Sequence, residues 1–310
     1  MKKTIVTGGA GFIGSHLAEE LVKKGYHVII LDDLSTGKKD NIAHVIQKDN
    51  VEFVQGSILD RHLLEQTFKG VDFVFHQAAI PSVPRSIENP IASHEVNITG
   101  TLNVLLAARD NGIKKVIYAS SSSVYGDTPT LPKHEAMQPN PQSPYALTKL
   151  VGEYYCCIFH QIYDLPAICL RYFNVYGPRQ DPNSQYAAVI PTFITRVSQD
   201  KPPIIYGDGE QTRDFTFVKD VIKANIIGAE SNASGIFNIG RGENSTLNDL
   251  AKIIISIMGK DLKSEYQPPR PGNIKHSLAD ISRARAIGYE PQYSLEEGLR
   301  ETIRRLTSAS

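Results

Sequence analysis

A tyrosine and a lysine stand four residues apart at Tyr145 and Lys149, a spacing that suits acid–base chemistry. Ser143 and Pro144 precede them and favour a helix start, because serine caps the first turn and proline needs no amide donor there. On such a helix the phenol and the ammonium group lie on one face, one turn apart. A nearby cation favours the phenolate, so we expect a pKa for Tyr145 that is lowered toward neutrality, where it can act as a base.

A second motif lies near the amino terminus, where a β-branched run leads into Gly8, Gly11 and Gly14. Such glycines permit a tight turn and close approach of the backbone to a pyrophosphate, and the helix that follows offers its unpaired amides to the phosphates. A second apolar run ends at Asp32 and Asp33, whose carboxylates suit the ribose hydroxyls of NAD and would repel the extra phosphate of NADP. The alternative is an ordinary strand–turn–helix with solvated acidic residues. The order of strand, glycines, helix, strand and acid favours a dinucleotide site.

The composition excludes several other classes of protein. The chain has 310 residues, with 33 Lys and Arg against 33 Asp and Glu, so its formal net charge is zero. This balance gives no reason to expect a nucleic-acid partner, and no apolar run approaches the length of about eighteen residues that a membrane helix needs. The first strand begins too early for a signal peptide, and the three cysteines form no disulfide framework. We expect a cytoplasmic protein with no metal site and no membrane association.

Strand and helix patterns alternate along the first half of the chain. This alternation predicts an α/β fold with a Rossmann-type doubly wound parallel sheet. We predict an NAD-binding domain over residues 1–170 and a smaller, mixed α/β substrate domain over residues 171–310, with segments near 215–240 returning to the first. The predicted strands lie near 51–54, 71–76, 116–120 and 167–170, and the predicted helices near 63–68, 97–111 and 145–163.

Ligands of such sheets bind beyond the carboxyl ends of the strands. The glycine turn, Asp32, His76, the serines at 120–123 and Asn174 all fall at such ends. A hydride acceptor beside a tyrosine base and a serine hydroxyl would form a set of groups able to oxidise a secondary alcohol.

These motifs together resemble the extended short-chain dehydrogenases/reductases, and within them the nucleotide-sugar 4-epimerases. The resemblance covers nearly the full chain, and it implies NAD as the cofactor and a UDP-sugar as the substrate of the second domain. The implied reaction is epimerisation at carbon 4 through a transient 4-keto intermediate, with Tyr145 as the base. The matching segments are the glycine motif and residues 31–37, 76–79, 120–126, 145–149, 171–174, 207–214 and 279–280.

The resemblance also implies roles for individual residues, with the diphosphate falling to Asn174 and to two arginines. Ser57 departs from the family pattern, because many relatives carry an aspartate there for the adenine. The implied catalytic residues are Tyr145, Lys149 and Ser121. The implied cofactor-binding residues are Gly8, Gly11, Phe12, Ile13, Gly14, Asp32, Asp33, Ser57, Ile58, Gln77, Ala78, Ala79, Asn97, Ser120, Tyr145, Lys149 and Tyr172. The implied substrate-binding residues are Ser82, Ser121, Ser122, Ser123, Tyr145, Asn174, Val189, Tyr206, Arg213, Arg270 and Ser277.

Residues 81–86, 180–191 and 270–277 resemble the UDP-N-acetylglucosamine 4-epimerases in particular. The resemblance to the nucleotide-sugar 4-epimerases implies that the position two before Ala279 gates the sugar pocket. A tyrosine there would block the bulky acetamido group, and this chain has Ser277. We therefore expect interconversion of UDP-N-acetylglucosamine and UDP-N-acetylgalactosamine, with UDP-glucose and UDP-galactose as a second pair.

Other activities of the same fold are alternatives. A UDP-glucuronic acid 4-epimerase is the nearest, because its gate and catalytic residues can look alike. A non-catalytic NAD-sensing protein is more distant, since such proteins usually lack the tyrosine or the lysine. Dehydratases and decarboxylases carry acidic residues near the serine loop, where this chain has Ser122 and Ser123.

The resemblance implies a homodimer as well. The predicted helices near 97–111 and 145–163 would pair with those of a second subunit in a four-helix bundle. Leu102, Leu105, Leu106 and Leu150 are apolar candidates for that interface, and they are equally well explained as core residues.

Overall fold

The computed structural model describes residues 1–181, 188–269 and 275–307. The strands are β1 (Lys3–Thr7), β2 (His27–Asp32), β3 (Val51–Gln55), β4 (Phe73–His76), β5 (Lys115–Ser121), β6 (Ala167–Tyr172), β7 (Val175–Tyr176), β8 (Ile204–Tyr206), β9 (Thr212–Arg213), β10 (Thr216–Phe217), β11 (Gly235–Ile239), β12 (Ser245–Thr246) and β13 (Glu265–Gln267). The α-helices are α1 (Phe12–Lys23), α2 (Arg61–Thr67), α3 (Val83–Glu88), α4 (Pro90–His94), α5 (Gly100–Asp110), α6 (Pro144–Tyr163), α7 (Val189–Ser198), α8 (Val218–Glu230), α9 (Leu247–Ile257), α10 (Ser282–Ala286) and α11 (Leu295–Thr307).

Seven strands form one parallel sheet in the order β11-β6-β5-β4-β1-β2-β3. The chain starts in the middle at β1, moves outward to β3, and then crosses to β4 on the other side. The direction of winding therefore reverses beside β1, and a doubly wound sheet binds its ligands at this reversal. The predicted Rossmann-type sheet is confirmed.

Each face of the sheet packs on its own layer of helices. Side chains of a strand alternate between faces, so Val6 of β1 belongs to one core and Ile5 to the other. Helices α1 and α8 pack together on the face of Val6, and α2, α5 and α6 pack on the face of Ile5. Burial of both faces explains why the middle of β2 is apolar at every position.

Beyond β6 the chain leaves the sheet and returns to it. Helix α8 packs against β5 and β6, and β11 then adds to the sheet edge beside β6. The remaining residues form small pairs of strands, β7 with β10, β9 with β12 and β8 with β13, while α7 packs on α9. The assignment of these parts to two domains stays a prediction.

In the helices expected at a dimer interface, the exposed apolar residues differ from the four leucines named as candidates. Leu105 and Leu150 are buried within the chain, so the interpretation of these two as core is correct, while Leu102 and Leu106 are half-buried. The apolar side chains that α6 exposes are instead Leu147, Tyr154, Ile158, Ile162 and Tyr163. Pairing of subunits stays a prediction. Among the described residues, no helix is long and apolar enough to cross a membrane.

Candidate active site

The start of α6 positions the predicted catalytic pair. Ser143 is the residue before the helix, its hydroxyl accepts the amide of Ala146 at 3.2 Å, and Pro144 is the first helical residue. The predicted helix start is confirmed. The amide of Tyr145, which a helix leaves unpaired, donates to the hydroxyl of Ser86 at 3.0 Å. These bonds fix the turn from which the phenol projects.

Lys149 follows one turn later on the same face. Its Nζ donates to the carbonyl of Ala119 at 2.9 Å and lies 5.9 Å from the centroid of the Tyr145 ring. The hydroxyl of Ser121, at the end of β5, makes a hydrogen bond with the Tyr145 phenol. The three residues predicted to be catalytic are therefore brought together where β5 ends and α6 begins.

The expected lowering of the Tyr145 pKa is wrong for this arrangement. Burial raises the pKa of the phenol because the phenolate loses its hydration, and the hydrogen bond from Ser121 only partly opposes this effect. Burial also lowers the pKa of Lys149 to about 8, against an opposing influence of Glu153. The prediction from sequence counted the attraction of a neighbouring cation and left out the loss of water around both groups.

A cavity of about 710 Å³ lies over the glycine turn and the carboxyl ends of β1, β2 and β4. Gly8 has a φ of +67°, and a Cβ placed there would lie 2.7 Å from the backbone of Ala78. A Cβ at Gly14 would lie 2.1 Å from the carbonyl oxygen of Gly8. No side chain caps the amino terminus of α1, and no acidic residue lies in its first turn. This cradle of bare backbone fits the diphosphate of a dinucleotide.

The two predicted acidic residues both line this cavity. Asp32 is buried, and its carboxylate accepts the amides of Ala10 at 2.9 Å and of Leu34 at 2.8 Å. Its pKa is raised by burial, although these amide bonds oppose the shift. Asp32 thus ties the glycine turn to the loop after β2 while remaining at the cavity wall, as a ribose ligand requires.

Most of the predicted cofactor residues line the same cavity. The residues found there are Gly8, Gly11, Phe12, Ile13, Gly14, Asp32, Asp33, Ile58, Gln77, Ala78, Ala79, Ser120, Tyr145, Lys149 and Tyr172. Arg179, Lys38 and Asn41, which sequence reasoning missed, line it as well. Their only signal in the sequence is a polar character that many surface residues share.

Two predicted cofactor residues, Ser57 and Asn97, are not among those that line the cavity in the described part of the chain. The hydroxyl of Ser57 accepts the amide of Leu59 at 3.2 Å. Asn97 is buried in a π-helical turn, Glu95–Thr99, and its side chain bonds the amide and the carbonyl of Ile80 at 2.8 and 3.2 Å. Asn97 therefore holds the loop after β4, which forms part of the cavity wall.

A second cavity, of about 940 Å³, lies between the ends of β5 and β6 and the smaller strands and helices. It adjoins the first, because Ser82, Ser120, Tyr145 and Tyr172 line both. Arg270 lies outside the described residues. The predicted substrate residues that line the cavity are Ser82, Ser121, Ser122, Ser123, Tyr145, Asn174, Val189, Tyr206, Arg213 and Ser277.

Asp214 organises one wall of this cavity and was missed as a site residue. Its buried carboxylate accepts the amides of Arg241 at 2.8 Å, Gly242 at 3.0 Å and Ala279 at 3.2 Å. Burial raises its pKa to about 6, although these amides oppose the shift. Asp214 follows Arg213 in the sequence, and the amide of Ser277 donates to the carbonyl of Thr212 at 3.1 Å. One short segment thus places both the arginine and the serine.

Comparison with known proteins identifies the family of the chain. Residues 4–240 match the NAD dependent epimerase/dehydratase family. A putative UDP-glucose 4-epimerase of Methanocaldococcus jannaschii is 43% identical over 301 residues, which cover 96% of each chain.

Two solved structures extend the comparison. The UDP-N-acetylglucosamine 4-epimerase of Methanobrevibacter ruminantium, in complex with UDP-N-acetylmuramic acid, is 45% identical, with a TM-score of 0.97 over 100% of this chain and 99% of that one. The UDP-glucuronic acid 4-epimerase of Bacillus cereus, in complex with UDP-glucuronic acid and NAD, is 35% identical, with a TM-score of 0.92 over 99% and 100% of the two chains. The chain therefore belongs to the NAD-dependent epimerase/dehydratase family, and NAD is its cofactor.

Proposed function

We propose that this protein is a UDP-sugar 4-epimerase that interconverts UDP-N-acetylglucosamine and UDP-N-acetylgalactosamine, with UDP-glucose and UDP-galactose as a second pair. The observation that carries the proposal is the position of Tyr145, which lines both cavities with Ser121 and Lys149 beside it. A sugar in the larger cavity can thus reach the same phenol that borders the cofactor site. The relatives compared above are named as 4-epimerases of three different UDP-sugars, so they support the reaction more strongly than the choice of sugar.

The chain's own residues would manage the proton of the sugar hydroxyl. Held by the cavity that Gly8, Gly11 and Asp32 line, NAD would supply reversible hydride transfer at carbon 4, so no net oxidation would result. Tyr145 takes the proton of the hydroxyl at carbon 4 and gives it back, and Ser121 orients that oxygen. Burial raises the pKa of the phenol, so the positive charge of Lys149 is needed to favour the phenolate.

The larger cavity also contains groups that suit a nucleoside diphosphate. Arg213 and Asn174 line it, and burial lowers the pKa of the Arg213 guanidinium. A partly desolvated guanidinium gains from a phosphate partner, and its planar donors match phosphate oxygens well. We assign the diphosphate to these residues.

The choice of an N-acetylated sugar rests on Ser277. Its side chain lines the larger cavity, and its backbone is fixed through Thr212. A small residue at this fixed position leaves volume that a tyrosine would fill. Exclusion by bulk discriminates between ligands more sharply than one added contact does, so a small residue at this position admits the acetamido group that a tyrosine would exclude.

A UDP-glucuronic acid 4-epimerase is the second candidate, supported by the Bacillus cereus structure. Lys133 lines the larger cavity, and its ammonium group would attract the carboxylate of the sugar. Its Nζ already donates to the carbonyl and the hydroxyl of Thr128, however. We therefore place this substrate second.

The purified protein should be incubated with each of the three UDP-sugars, both without added NAD and with catalytic amounts of it. We expect UDP-N-acetylgalactosamine to form from UDP-N-acetylglucosamine, detected by anion-exchange chromatography and proton NMR, without a rise in NADH absorbance. Accumulation of NADH in proportion to product would identify a dehydrogenase instead. Faster conversion of UDP-glucuronic acid than of the acetylated sugar would favour the second candidate, and no turnover of any sugar would contradict the epimerase assignment.

A further inference from the structure

A buried ion pair lies directly behind Lys149. Glu153 follows Lys149 by one turn of α6, and Arg171 lies on β6 next to the end of β5. The guanidinium donates from Nε to Oε1 of Glu153 at 2.8 Å and from Nη2 to Oε2 at 2.7 Å. The side chains are 1% and 0% exposed for Arg171 and Glu153. The carboxylate is therefore held at both oxygens and shielded from water.

Stability alone does not explain a charged pair at this place. Taking two charges out of water costs several kcal/mol per ion, and apolar residues of similar volume often serve as well or better. In the described part of the chain, Nη1 of Arg171 has no hydrogen-bond partner, and the guanidinium carbon lies 4.7 Å from the centroid of the Tyr125 ring. An unpaired buried donor adds to the cost. A contribution to the reaction would explain why the pair is charged.

The pair is joined to the catalytic groups through three consecutive residues of β5. The carbonyl of Ala119 accepts from Lys149 at 2.9 Å, and the hydroxyl of Ser120 donates to Glu153. Ser121, the next residue, bonds the proposed base. Ser120, which holds Glu153, thus lies between Ala119, the partner of Lys149, and Ser121, the partner of Tyr145.

The effect of Glu153 on the pKa of Lys149 depends on the charges of the other groups around the ammonium group. Burial and the Lys149 charge lower the pKa of His76 to about 3, so this histidine is neutral, with ring nitrogens bonded to Thr7 and Thr101. Burial raises the pKa of Tyr118, whose ring lies under Lys149, well above its ordinary value.

Five titratable groups therefore bear on the ammonium group, on four elements of the fold. They are His76 on β4, Tyr118 on β5, Tyr145 and Glu153 on α6, and Arg171 on β6, behind Glu153. Glu153 is the carboxylate among them, and it is held in an ion pair. Its charge opposes the loss of the Lys149 proton that burial promotes.

We propose that Glu153, clamped by Arg171 and Ser120, is a positioning residue that keeps Lys149 protonated while Tyr145 takes up and returns the proton of the sugar. The inference rests on the proposed function, because that function gives Tyr145 and Lys149 their roles. Arg171 prevents the carboxylate from turning away, and its bidentate geometry is one that a lysine could not reproduce.

The test removes the charge of Glu153 and keeps its shape. In Glu153→Gln the amide retains an acceptor for Arg171, whereas the negative charge is lost. NMR of protein labelled at the lysine Cε carbons, with Lys149→Arg to assign the signal, should show Lys149 titrating near pH 8 in the unmodified protein. We expect the midpoint to fall by at least about one pH unit in Glu153→Gln. At pH 8 the protonated fraction then falls from about half to about a tenth, so kcat falls about fivefold and the alkaline limb of its pH profile moves to lower pH.

Two further variants separate this effect from general damage. Asp220→Asn is a matched control, because Asp220 is buried on α8 and accepts the amides of Gln292 at 2.9 Å and Tyr293 at 3.3 Å, away from both cavities. It should lower the melting temperature without moving the alkaline limb. The double variant Glu153→Met with Arg171→Met removes both charges and should fold at least as well as the unmodified protein. We expect an acid-ward shift of the limb in this double variant as well, smaller than in Glu153→Gln because the Arg171 charge is removed together with the Glu153 charge.

The inference is overturned if Lys149 titrates at the same pH in Glu153→Gln as in the unmodified protein. It is also overturned if the NMR midpoint falls while kcat and its alkaline limb stay unchanged, or if the double variant keeps the unmodified profile. Failure of the proposed function gives a different result, since the unmodified protein would then convert no UDP-sugar while the NMR titration could still be measured.

Discussion

The two cavities are built in different ways. The part of the smaller one assigned to the diphosphate is shaped by bare backbone, with Gly8 and Gly14 so close to other main-chain atoms that a methyl group would collide with them. The larger one is lined by side chains that come from distant parts of the chain, such as Ser82, Asn174 and Ser277. A site made of backbone recognises one ligand and tolerates little change. A site made of separate side chains can change its ligand at one position, and this fits a family whose members act on different sugars.

Tyr145 lines both cavities, so its replacement should give the largest effect. Tyr145→Phe removes the hydroxyl and keeps the ring, and kcat should fall by about two to four orders of magnitude, the usual contribution of a general base. Retained NAD, measured in the denatured protein, and the affinity for UDP-sugar, measured by calorimetry, should change little. A variant with nearly normal turnover would remove Tyr145 from the mechanism.

Gly14→Ala tests the glycine turn of the smaller cavity. The new Cβ would lie 2.1 Å from the carbonyl oxygen of Gly8, so the turn must move. A cost of about 3 kcal/mol, the upper end for overpacking, corresponds to about a 150-fold weaker affinity for NAD. Added NAD should restore part of the activity, and the preference among sugars should be unchanged.

The matched control for this variant is Gly25→Ala, which has no atom within 4 Å of the new Cβ and a φ of +80°. It should lower stability through backbone strain and leave the affinity for NAD as it was. Equal loss of NAD in both variants would mean that general destabilisation, rather than the cradle, controls binding.

Ser277→Tyr tests the cavity of separate side chains and should give the smallest effect. The phenol would occupy the volume assigned to the acetamido group, at a cost of about 1–3 kcal/mol for a misfit in a packed site. The ratio of kcat/KM for UDP-N-acetylglucosamine to that for UDP-glucose should therefore fall about 5- to 150-fold. Bound NAD should stay at the level of the unmodified protein. Equal losses on both sugars would show general damage, and an unchanged ratio would show that Ser277 is not the gate.

The same contrast explains what the sequence could predict. The doubly wound sheet and the glycine turn follow from local patterns, because a strand, a turn and a helix that are adjacent in sequence are also adjacent in space. The pKa of Tyr145 could not be predicted, since it depends on how completely β5 and α6 exclude water. Asp214 and Glu153 were missed for a related reason. A lone carboxylate in a sequence reads as a surface charge until the fold shows which backbone amides or guanidinium group it meets.

The path of the chain after β6 limits how new specificities can arise. Because α8 and β11 return to the main sheet between segments that line the larger cavity, the residues assigned to the sugar do not form one continuous piece of the chain. If the chain were cut after Tyr172, β6 would become an unpaired edge strand, because β11, which pairs with it, comes after the cut. We therefore expect that these segments cannot be exchanged between relatives as a single block. Change of substrate must proceed by single substitutions within an intact chain, and a protein engineer faces the same constraint.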